Sequence, residues 1–202
     1  MLQHEQMLWE MGYTAIAGVD EVGRGCLFGD VVAAAVILPP GLIIEGINDS
    51  KKLTERKREQ LYEEIIAECI AWSVARIDAS EIDRINIKQA SRLAMKIAVE
   101  SLEPAPDYVL IDAEKLDIAA PQQSLIKGDA ISQTIAAASI VAKVTRDKLC
   151  VNEWEEKFPG YGIAVHKGYA TKLHREQLLL RGPSSEHRAT FLKKIFSETS
   201  KA

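Results

Sequence analysis

The sequence predicts an α/β protein in which a mixed β-sheet is flanked by helices. Short runs rich in Val and Ile alternate with longer stretches whose apolar residues recur at helical spacing. The first two runs, 15–19 and 31–38, are joined by a glycine-rich segment and are expected to form an antiparallel hairpin, whereas the later strands alternate with helices. The chain has 202 residues, of which 47% are hydrophobic, so we expect a single domain over 1–202 with a buried core.

The first half of the chain carries clear signals for where each element begins and ends. Pro39-Pro40-Gly41 ends the second apolar run, and Thr54 can cap the helix that follows it. The polar segment 47–53, INDSKKL, is expected to be a loop. The expected elements are a short helix over 1–12, the two strands of the hairpin, a helix over 55–70, a strand over 71–77 and a helix over 78–102 with Asn86 as a candidate break.

The second half is expected to add two short strands and a helical C-terminal extension at about 171–198. Pro104 and Pro106 stop the preceding helix, and a buried type of strand then ends on Asp112. Gly182-Pro183 separates the last two helices. The expected elements are a strand over 108–111, a short run at 124–126, a helix over 130–157, a loop over 158–169 and helices over 171–181 and 188–196.

Composition and charge exclude several classes of protein. The longest apolar runs are too short to span a bilayer, and the N-terminal segment lacks the basic start and apolar stretch of a signal peptide. Three cysteines, an odd count without metal-ligand spacing, favour a reducing compartment, so we expect a cytoplasmic protein without a disulfide framework. The net charge of −4 argues against bulk electrostatic attraction to nucleic acid but leaves room for a local basic groove.

Acidic residues stand at three places where an apolar run stops and a loop or helix begins. Asp20 and Glu21 follow the first run, Asp112 ends a later one, and Asp129 precedes the long helix. Because sites in α/β sheets form beyond strand ends, we expect these acids to meet and to repel one another unless cations neutralise them. Carboxylate oxygens suit Mg²⁺ or Mn²⁺. The alternative for each acid alone is a helix cap or a solvated loop residue, and Asp129 is a good N-cap candidate.

Several motifs, taken together, resemble those of bacterial type-2 ribonucleases H, the ribonuclease HII family. They run in the family order and span most of the chain: GVDEVGRG at 18–25, VVAAAVIL at 31–38, NDSKKL at 48–53, the strand ending in Asp112, KGD at 127–129, IAAASIVAKVTRD at 135–147 and HKGY at 166–169. The resemblance implies an RNase H-like fold with a C-terminal helical part. It also implies cleavage of RNA that is paired with or joined to DNA, including a single ribonucleotide embedded in a DNA duplex.

The resemblance further implies roles for individual residues. The four acids would bind two Mg²⁺ or Mn²⁺ ions that activate a water and stabilise the departing 3′ oxygen, leaving a 3′-hydroxyl and a 5′-phosphate. Gly23, Arg24 and Gly25 would contact the ribose 2′-hydroxyl, and glycine permits the close backbone approach that this contact needs. Tyr169 would pack on the sugar that follows the ribonucleotide. Two lysines would approach the phosphate backbone, Lys51 and Lys52.

Other residues leave alternatives open. The basic residues in 56–58 could extend a phosphate track, but we expect a solvated helix face, and likewise for the basic residues in 143–148. Asp147 is expected to be an ion-pair partner on its helix. Tyr161 is a second candidate for the sugar-packing ring, although only Tyr169 lies in the HKGY match.

The chain departs from the usual family pattern at four positions. Cys26, Phe28 and Asp30 stand where proline, alanine and proline are usual, and Ala113 stands where glycine is common. We expect Cys26 to be a small buried residue. The departures leave the shape of the substrate-facing turn, and therefore substrate preference, less constrained by the resemblance than the activity class.

The resulting interpretation is a metal-dependent endoribonuclease that removes misincorporated ribonucleotides and RNA primers. Its partners would be RNA–DNA hybrids and ribonucleotide-containing duplex DNA, with no membrane and no obligate protein partner, and a monomer is the default because no long apolar helix is left over. Two alternatives are a non-catalytic nucleic-acid-binding module on the same fold and a DNA-directed nuclease or resolvase. The intact acids oppose the first alternative, and the second would not need a 2′-hydroxyl reader.

Overall fold

The computed structural model describes residues 1–199, and a five-stranded mixed sheet lies at the centre of this part of the chain. Its strands are β1 (Ile16–Val22), β2 (Val31–Ile37), β3 (Ala71–Ile77), β4 (Tyr108–Asp112) and β5 (Gln122–Leu125). They lie in the order β3-β2-β1-β4-β5. Strand β2 is antiparallel to its two neighbours, β1 and β3, whereas β4 and β5 run parallel to β1. The predicted α/β class and the opening hairpin are confirmed.

Helices cover both faces of the sheet. Within residues 1–199 they are α1 (Gln3–Glu10), α2 (Glu55–Glu68), α3 (Ala79–Ile85), α4 (Ile87–Glu100), α5 (Gly128–Ile131), α6 (Gln133–Leu149), α7 (Glu155–Lys157), α8 (Ile163–His166), α9 (Lys172–Arg181) and α10 (Ala189–Thr199). A 3₁₀ turn spans Ser50–Lys52, and a π-helical turn spans Cys150–Trp154. The apolar side of α4 packs on one face of the sheet, and α6 with α2 packs on the other.

The two central strands are apolar because both of their faces are covered. All seven residues of β2 are buried, as are the first five of β1. Gly18 lies beneath the start of α6, where a Cβ atom would overlap the backbone of Thr134. The three alanines at 136–138, in the next turn of α6, are fully buried. The backbone of α6 can therefore approach β1 closely, and this approach fixes the height of the helix above the sheet.

Two expected helices are broken where a polar residue caps a new start. Asn86 has φ of 70°, and its side chain accepts from the backbone N–H groups of Lys88 and Gln89, so the candidate break is confirmed. The helix expected over 130–157 is instead several pieces, since the hydroxyl of Ser132 caps α6. The prediction of Asp129 as an N-cap is wrong, because Asp129 lies inside α5.

The C-terminal helices contact the glycine-rich segment that follows β1. Cys26 forms an isolated antiparallel bridge with Tyr169, and Phe28 forms another with His187. The loop expected over 158–169 contains the short helix α8. The three cysteines are free. None of the helices described here is long and apolar enough to cross a membrane.

Candidate active site

The first carboxylate of the site lies deep in the sheet. The prediction that Asp20 and Glu21 follow a strand is wrong, because β1 continues through both residues to Val22. Asp20 is 5% exposed, and its Oδ1 accepts from the backbone N–H of Glu21 at 2.7 Å. Burial raises the pKa of Asp20 well above its usual range, and the charge of Glu21 raises it further, while the Ser139 hydroxyl on α6 opposes the rise. Asp20 is thus a buried acid whose own surroundings disfavour its negative charge.

Glu21 is partly neutralised by an arginine of the glycine-rich turn. The Nη1 atom of Arg24 lies 3.1 Å from Oε1 of Glu21 and 3.6 Å from Oε1 of Glu114. Burial raises the pKa of Glu21, Arg24 lowers it, and the charges of Asp112 and Glu114 raise it. Arg92 donates to Glu114 from the other side at 2.9 Å. Glu114 was not singled out from the sequence, and it lies near the acids because the chain turns at Ala113, directly after β4.

Asp112 and Asp129 are joined through one backbone group. In the parallel pairing of β1 and β4, Val19 lies opposite Ile111. The next residue on each strand, Asp20 and Asp112, therefore lies beside the other. The backbone N–H of Gly128 donates to Oδ1 of Asp112 at 2.6 Å. Asp129 follows directly and is 6% exposed.

Asp129 carries the fourth carboxylate, and its surroundings are mostly acidic. Burial raises the pKa of Asp129, and the charges of Asp49 and then Asp112 raise it further, whereas Lys51 lowers it. Asp49 was not singled out from the sequence, although it lies inside the NDSKKL motif. Its side chain also accepts from the backbone N–H of Lys51 at 2.9 Å, which fixes the 3₁₀ turn. The motif therefore places an acid and a lysine together beside the site.

These four acids suit divalent cations that are shared with a substrate. Asp112 raises the pKa of each of the other three, so it is the common neighbour of the set. Within residues 1–199, no three side chains of His, Cys, Asp or Glu are arranged to hold a metal ion by themselves. Mg²⁺ usually keeps several waters and takes one or two carboxylates together with substrate phosphates. The oxygen donors and the uncompensated charge therefore fit Mg²⁺ or Mn²⁺.

An open groove runs along two of the four acids, Asp112 and Asp129. Its volume is about 420 Å³. Its charged lining residues are Asp49, Lys51, Lys52, Asp112, Lys127 and Asp129. The acids give the groove a place for cations, and the lysines beside them give it positive charge for a phosphate backbone.

The glycine-rich turn presents backbone to solvent next to the acids. Gly23 has φ of 93°, and a Cβ atom there would overlap Nε of Arg146. Arg24 and Gly25 are exposed, and the space in front of Gly25 is open. A ligand can therefore approach the backbone at Gly25 without meeting a side chain.

A fully buried arginine braces this turn from below. Arg146 is 0% exposed and donates from Nε to the carbonyl of Asp30 at 3.0 Å, from Nη2 to that of Phe28 at 3.0 Å and from Nη1 to that of Lys167 at 2.7 Å. The expectation that Arg146 belongs to a solvated helix face is wrong. Its position seven residues after Ser139 places it on the buried face of α6, which the sequence could have indicated.

A second buried arginine comes from the C-terminal part of the chain. Arg188 donates from Nε and Nη2 to the carbonyl of Gly29 at 2.9 and 2.8 Å and from Nη1 to the carbonyl of Arg24 at 3.1 Å. Burial lowers the pKa of Arg188 to about 10, which still leaves the guanidinium charged at neutral pH. The shape of the turn thus depends on Arg188, a residue that lies far from the turn in the sequence.

Tyr169 lies beside the same turn. Its ring is partly exposed, at 38%, its backbone bridges to Cys26, and Nζ of Lys143 lies 5.8 Å from the ring centroid. Burial raises the pKa of Tyr169 to about 12, so the phenol stays protonated. The rival ring, Tyr161, is buried and donates its hydroxyl to the carbonyl of Gly182 at 2.9 Å. The geometry therefore leaves Tyr169 as the ring available to a substrate.

The basic residues near the groove are of two kinds. Lys51 and Lys52 are exposed. Arg58, expected on a solvated face, instead donates from Nη1 to the carbonyls of Ser50 and Leu53 at 3.0 and 2.6 Å, so that expectation is wrong for this residue. Arg58 shapes the lysine loop rather than forming part of the track.

Asp147 behaves as the sequence predicts. Nζ of Lys143, one turn earlier on α6, lies 2.7 Å from Oδ1 of Asp147. This is an ion pair within α6 whose two side chains are largely buried.

The four departures from the family pattern are accommodated locally. Cys26 and Phe28 are fully buried, and burial raises the pKa of the Cys26 thiol, which disfavours a reactive thiolate. Oδ2 of Asp30 accepts from Nε of Arg76 on β3 at 2.6 Å. Ala113 adopts φ of 51°, the left-handed conformation in which glycine is favoured.

The comparisons with known proteins agree on one family. The family model described as Ribonuclease HII matches residues 17–199. A protein of Alkaliphilus metalliredigens (strain QYMF) called Ribonuclease HII is 62% identical over 200 residues, covering 96% of this chain and 98% of the relative. The crystal structure of ribonuclease H2 from Pyrococcus horikoshii OT3 is 26% identical with a TM-score of 0.77, covering 93% of this chain and 99% of that one. The crystal structure of Bst-RNase HIII in complex with Mn²⁺, 20% identical with a TM-score of 0.71 over 94% of this chain and 71% of that one, shares the fold.

Proposed function

Because the chain belongs to the ribonuclease HII family, it is a metal-dependent endoribonuclease that acts on the RNA strand of RNA–DNA hybrids, and we propose that it also nicks duplex DNA 5′ to a single embedded ribonucleotide. The observation that carries the proposal is the placement of the Gly-Arg-Gly turn, exposed at Arg24 and Gly25, next to the four acids. A nuclease that cuts DNA alone needs the acids but has no use for a reader of the 2′-hydroxyl.

The four acids would hold the cations at the edge of the groove. When bound, two ions of Mg²⁺ or Mn²⁺ activate a water for in-line attack and stabilise the departing 3′ oxygen. Asp20 and Asp112 would hold the central position, since they lie side by side on neighbouring strands. Asp129, on the short helix α5, would hold the more peripheral one. The products would carry a 3′-hydroxyl and a 5′-phosphate.

The turn would recognise the ribonucleotide through its backbone. The open space before Gly25 lets a ribose approach closely enough for the 2′-hydroxyl to form a hydrogen bond with the main chain. Arg24 bridges Glu21 and Glu114, so the reader and the second acid are joined by a charged contact. Recognition of the ribose and placement of the scissile phosphate would therefore be set by one rigid unit.

Tyr169 and two lysines would align the rest of the duplex. The exposed part of the Tyr169 ring offers a flat apolar surface to the sugar that follows the ribonucleotide. Lys51 and Lys52 would contact backbone phosphates, which fix register without reading sequence. Removal of misincorporated ribonucleotides and of RNA primers, by a monomer in the cytoplasm, is the role that this substrate choice serves.

The test uses a labelled DNA duplex with one ribonucleotide, a continuous RNA–DNA hybrid and an all-DNA duplex, each with Mg²⁺, Mn²⁺ or EDTA. We expect a metal-dependent nick 5′ to the ribonucleotide, cleavage of the hybrid and no cut in the all-DNA strand. Cleavage of the hybrid alone would overturn the embedded-ribonucleotide activity. Binding without cleavage of any duplex would favour a non-catalytic module, and cutting of all-DNA strands would favour a DNA-directed nuclease.

A further inference from the structure

Three buried histidines lie behind Tyr169 and take no part in the site described above. His166 is the last residue of α8, His174 lies in the first turn of α9, and His187 lies just before α10. The rings of His166 and His174 are stacked with centroids 4.0 Å apart. Nε2 of His174 lies 3.0 Å from Nε2 of His187, and Nδ1 of His174 lies 2.9 Å from the carbonyl oxygen of Tyr169. Two histidine rings therefore connect the backbone of Tyr169 to the C-terminal part.

The backbone N–H of Ser184 determines which nitrogen carries the proton in the rings of His187 and His174. The backbone N–H of Ser184 can only donate, and it lies 3.0 Å from Nδ1 of His187, so that Nδ1 accepts. The proton of neutral His187 is then on Nε2 and is donated to Nε2 of His174. The proton of His174 is consequently on Nδ1 and is donated to the carbonyl of Tyr169. Every hydrogen bond from Ser184 to Tyr169 points in one direction.

The chain of hydrogen bonds is stable near neutral pH because both rings are neutral there. Burial lowers the pKa of His174 and of His187 to about 4 in each case. Besides each other, the rings that face them are those of His166, Phe28 and Tyr161. A second proton on His174 would place two N–H groups against each other at its contact with His187, and a second proton on His187 would oppose the backbone N–H of Ser184.

The two histidines close a ring of contacts around the residues that follow the Gly-Arg-Gly turn. Cys26 bridges to Tyr169, and two positions later Phe28 bridges to His187. The bond between His174 and His187 joins these two bridges on the far side. The position of Tyr169 relative to the turn is therefore determined by a closed circuit of hydrogen bonds rather than by a free loop.

We propose that His174, held by His187, is a positioning residue that sets the spacing between the Tyr169 ring and the Gly-Arg-Gly turn and so selects a ribonucleotide followed by DNA. This inference rests on the proposed function of Tyr169 as the ring that packs on the following sugar. The turn would sense the 2′-hydroxyl of one nucleotide, and the ring would sense the sugar of the next. A change in their spacing should therefore affect the junction more than a continuous hybrid.

Two pairs of variants test the proposal with opposite expectations. At position 174, His174→Asn keeps an N–H near the place of Nδ1 and can still donate to Tyr169, whereas His174→Gln reaches the place of Nε2 and cannot. At position 187, the order reverses, because His187→Gln keeps a donor at the place of Nε2 and His187→Asn does not. All four variants lose a ring and its packing, so a merely structural role would not produce this crossed pattern.

The readout is kcat/KM for the single-ribonucleotide duplex and for the continuous hybrid, with a thermal melt of each variant. We expect His174→Gln and His187→Asn to lose roughly 10-fold on the junction, the effect of about one hydrogen bond, and less than about 3-fold on the hybrid. We expect His174→Asn and His187→Gln to stay within about 3-fold of the parent protein on both substrates.

The Tyr169→Ala background separates this inference from the function on which it rests. If the histidines act through Tyr169, adding His174→Gln to Tyr169→Ala should cause no further loss on the junction. Additive losses, or equal losses for the two variants at each position, would overturn the positioning role alone. If Tyr169→Ala itself leaves junction preference unchanged, the proposed role of Tyr169 fails and the inference fails with it.

Discussion

The backbone N–H of Gly128 donates a hydrogen bond of 2.6 Å to Oδ1 of Asp112, and through it the end of β4 is tied to the helix that carries Asp129. The contact leaves no room for a side chain at position 128. A Cβ atom there would lie 2.6 Å from Cδ1 of Ile135 and 3.2 Å from Oδ1 of Asp112. The spacing of two carboxylates therefore depends on a glycine between them.

Gly128→Ala should consequently impair cleavage as well as stability. Overpacking costs about 1–3 kcal/mol of the free energy of unfolding, and the displaced carboxylates should lower kcat by at least about 10-fold. Gly12→Ala is the control, because nothing lies within contact distance of a Cβ atom at Gly12, so any cost there comes from its φ of 96° alone. We expect the control to lose some stability, measured by denaturant unfolding, and to keep its kcat. A fully active Gly128→Ala protein would contradict the assignment.

Asp20→Asn should abolish cleavage without destabilising the fold. The substitution removes a buried charge that Glu21 and Asp112 repel, so the melting temperature should stay level or rise. The loss of cation binding should remove several kcal/mol of transition-state stabilisation, which corresponds to at least about 100-fold in rate. Asp117→Asn, at an exposed acid away from the groove, is the control. Turnover close to that of the parent protein for Asp20→Asn would rule out the metal-site assignment.

The ring of Tyr169, rather than its hydroxyl, should matter for junction cleavage. Tyr169→Ala removes the surface that packs on the sugar and should lower kcat/KM on the single-ribonucleotide duplex by about 10-fold or more, as the loss of a stacking partner typically does. Tyr169→Phe keeps that surface and should remain within about 3-fold of the parent protein. Equal effects of the two substitutions in a steady-state assay would argue against packing.

Arg146→Met should unfold the turn that Arg146 braces. The substitution preserves much of the side-chain volume but leaves the carbonyls of Phe28, Asp30 and Lys167 without their donor. Each unpaired buried carbonyl costs about 1–3 kcal/mol, so we expect a total loss of at least about 3 kcal/mol in the free energy of unfolding. Arg146→Lys should be nearly as harmful, because one ammonium cannot reach three carbonyls in the fork geometry. Denaturant titration of both variants would check this; a stable Arg146→Lys protein would be contrary to it.

The buried histidines should make stability fall on mild acidification. The pKa values of His174 and His187 are about 4 in the fold, below the ordinary value of about 6.5. Between these values the unfolded chain binds more protons, so the contribution to stability is complete above about pH 6.5 and declines as the pH falls towards 4.

His187→Gln gives the comparison that isolates this effect. The variant lacks one of the two rings whose pKa is lowered to about 4 and keeps the other. The difference between melting temperatures at pH 7 and pH 5 should therefore be smaller in the variant than in the parent protein. An identical difference would show that His187 is not responsible.

The sheet was predictable because its strands are apolar runs with sharp ends. The run 31–38 is apolar throughout because both faces of β2 are covered, and proline follows it at once. The length of β1 was predicted incorrectly for a physical reason. Two adjacent acids suggest the end of a buried strand, but here Asp20 and Glu21 stay paired with Ala34 and Ala33 of β2, and the ladder continues to Val22. A functional site is where local sequence rules are expected to fail.

The acids of the site could be found from their positions, whereas their supports could not. Arg146 and Arg188 both donate to carbonyls of the turn more than 100 positions away, and no local pattern reports such contacts. Asp49 and Glu114 lie near the site only because loops return to it. The three histidines gave no signal at all, since their spacing in the sequence is irregular and their contacts arise from the packing of α8 and α9.

The brace formed by Arg188 has a consequence for the order in which the protein matures. During synthesis the four acids emerge first, since the last of them is Asp129, whereas Arg188, His187 and the second bridge to the turn emerge some sixty positions later. A nascent chain can thus assemble its sheet and its acids before the 2′-hydroxyl reader has its final shape. Under the proposed function, selectivity for ribonucleotides would be completed only when the C-terminal residues arrive, so a chain halted before Arg188 would carry the acids with an unformed reader.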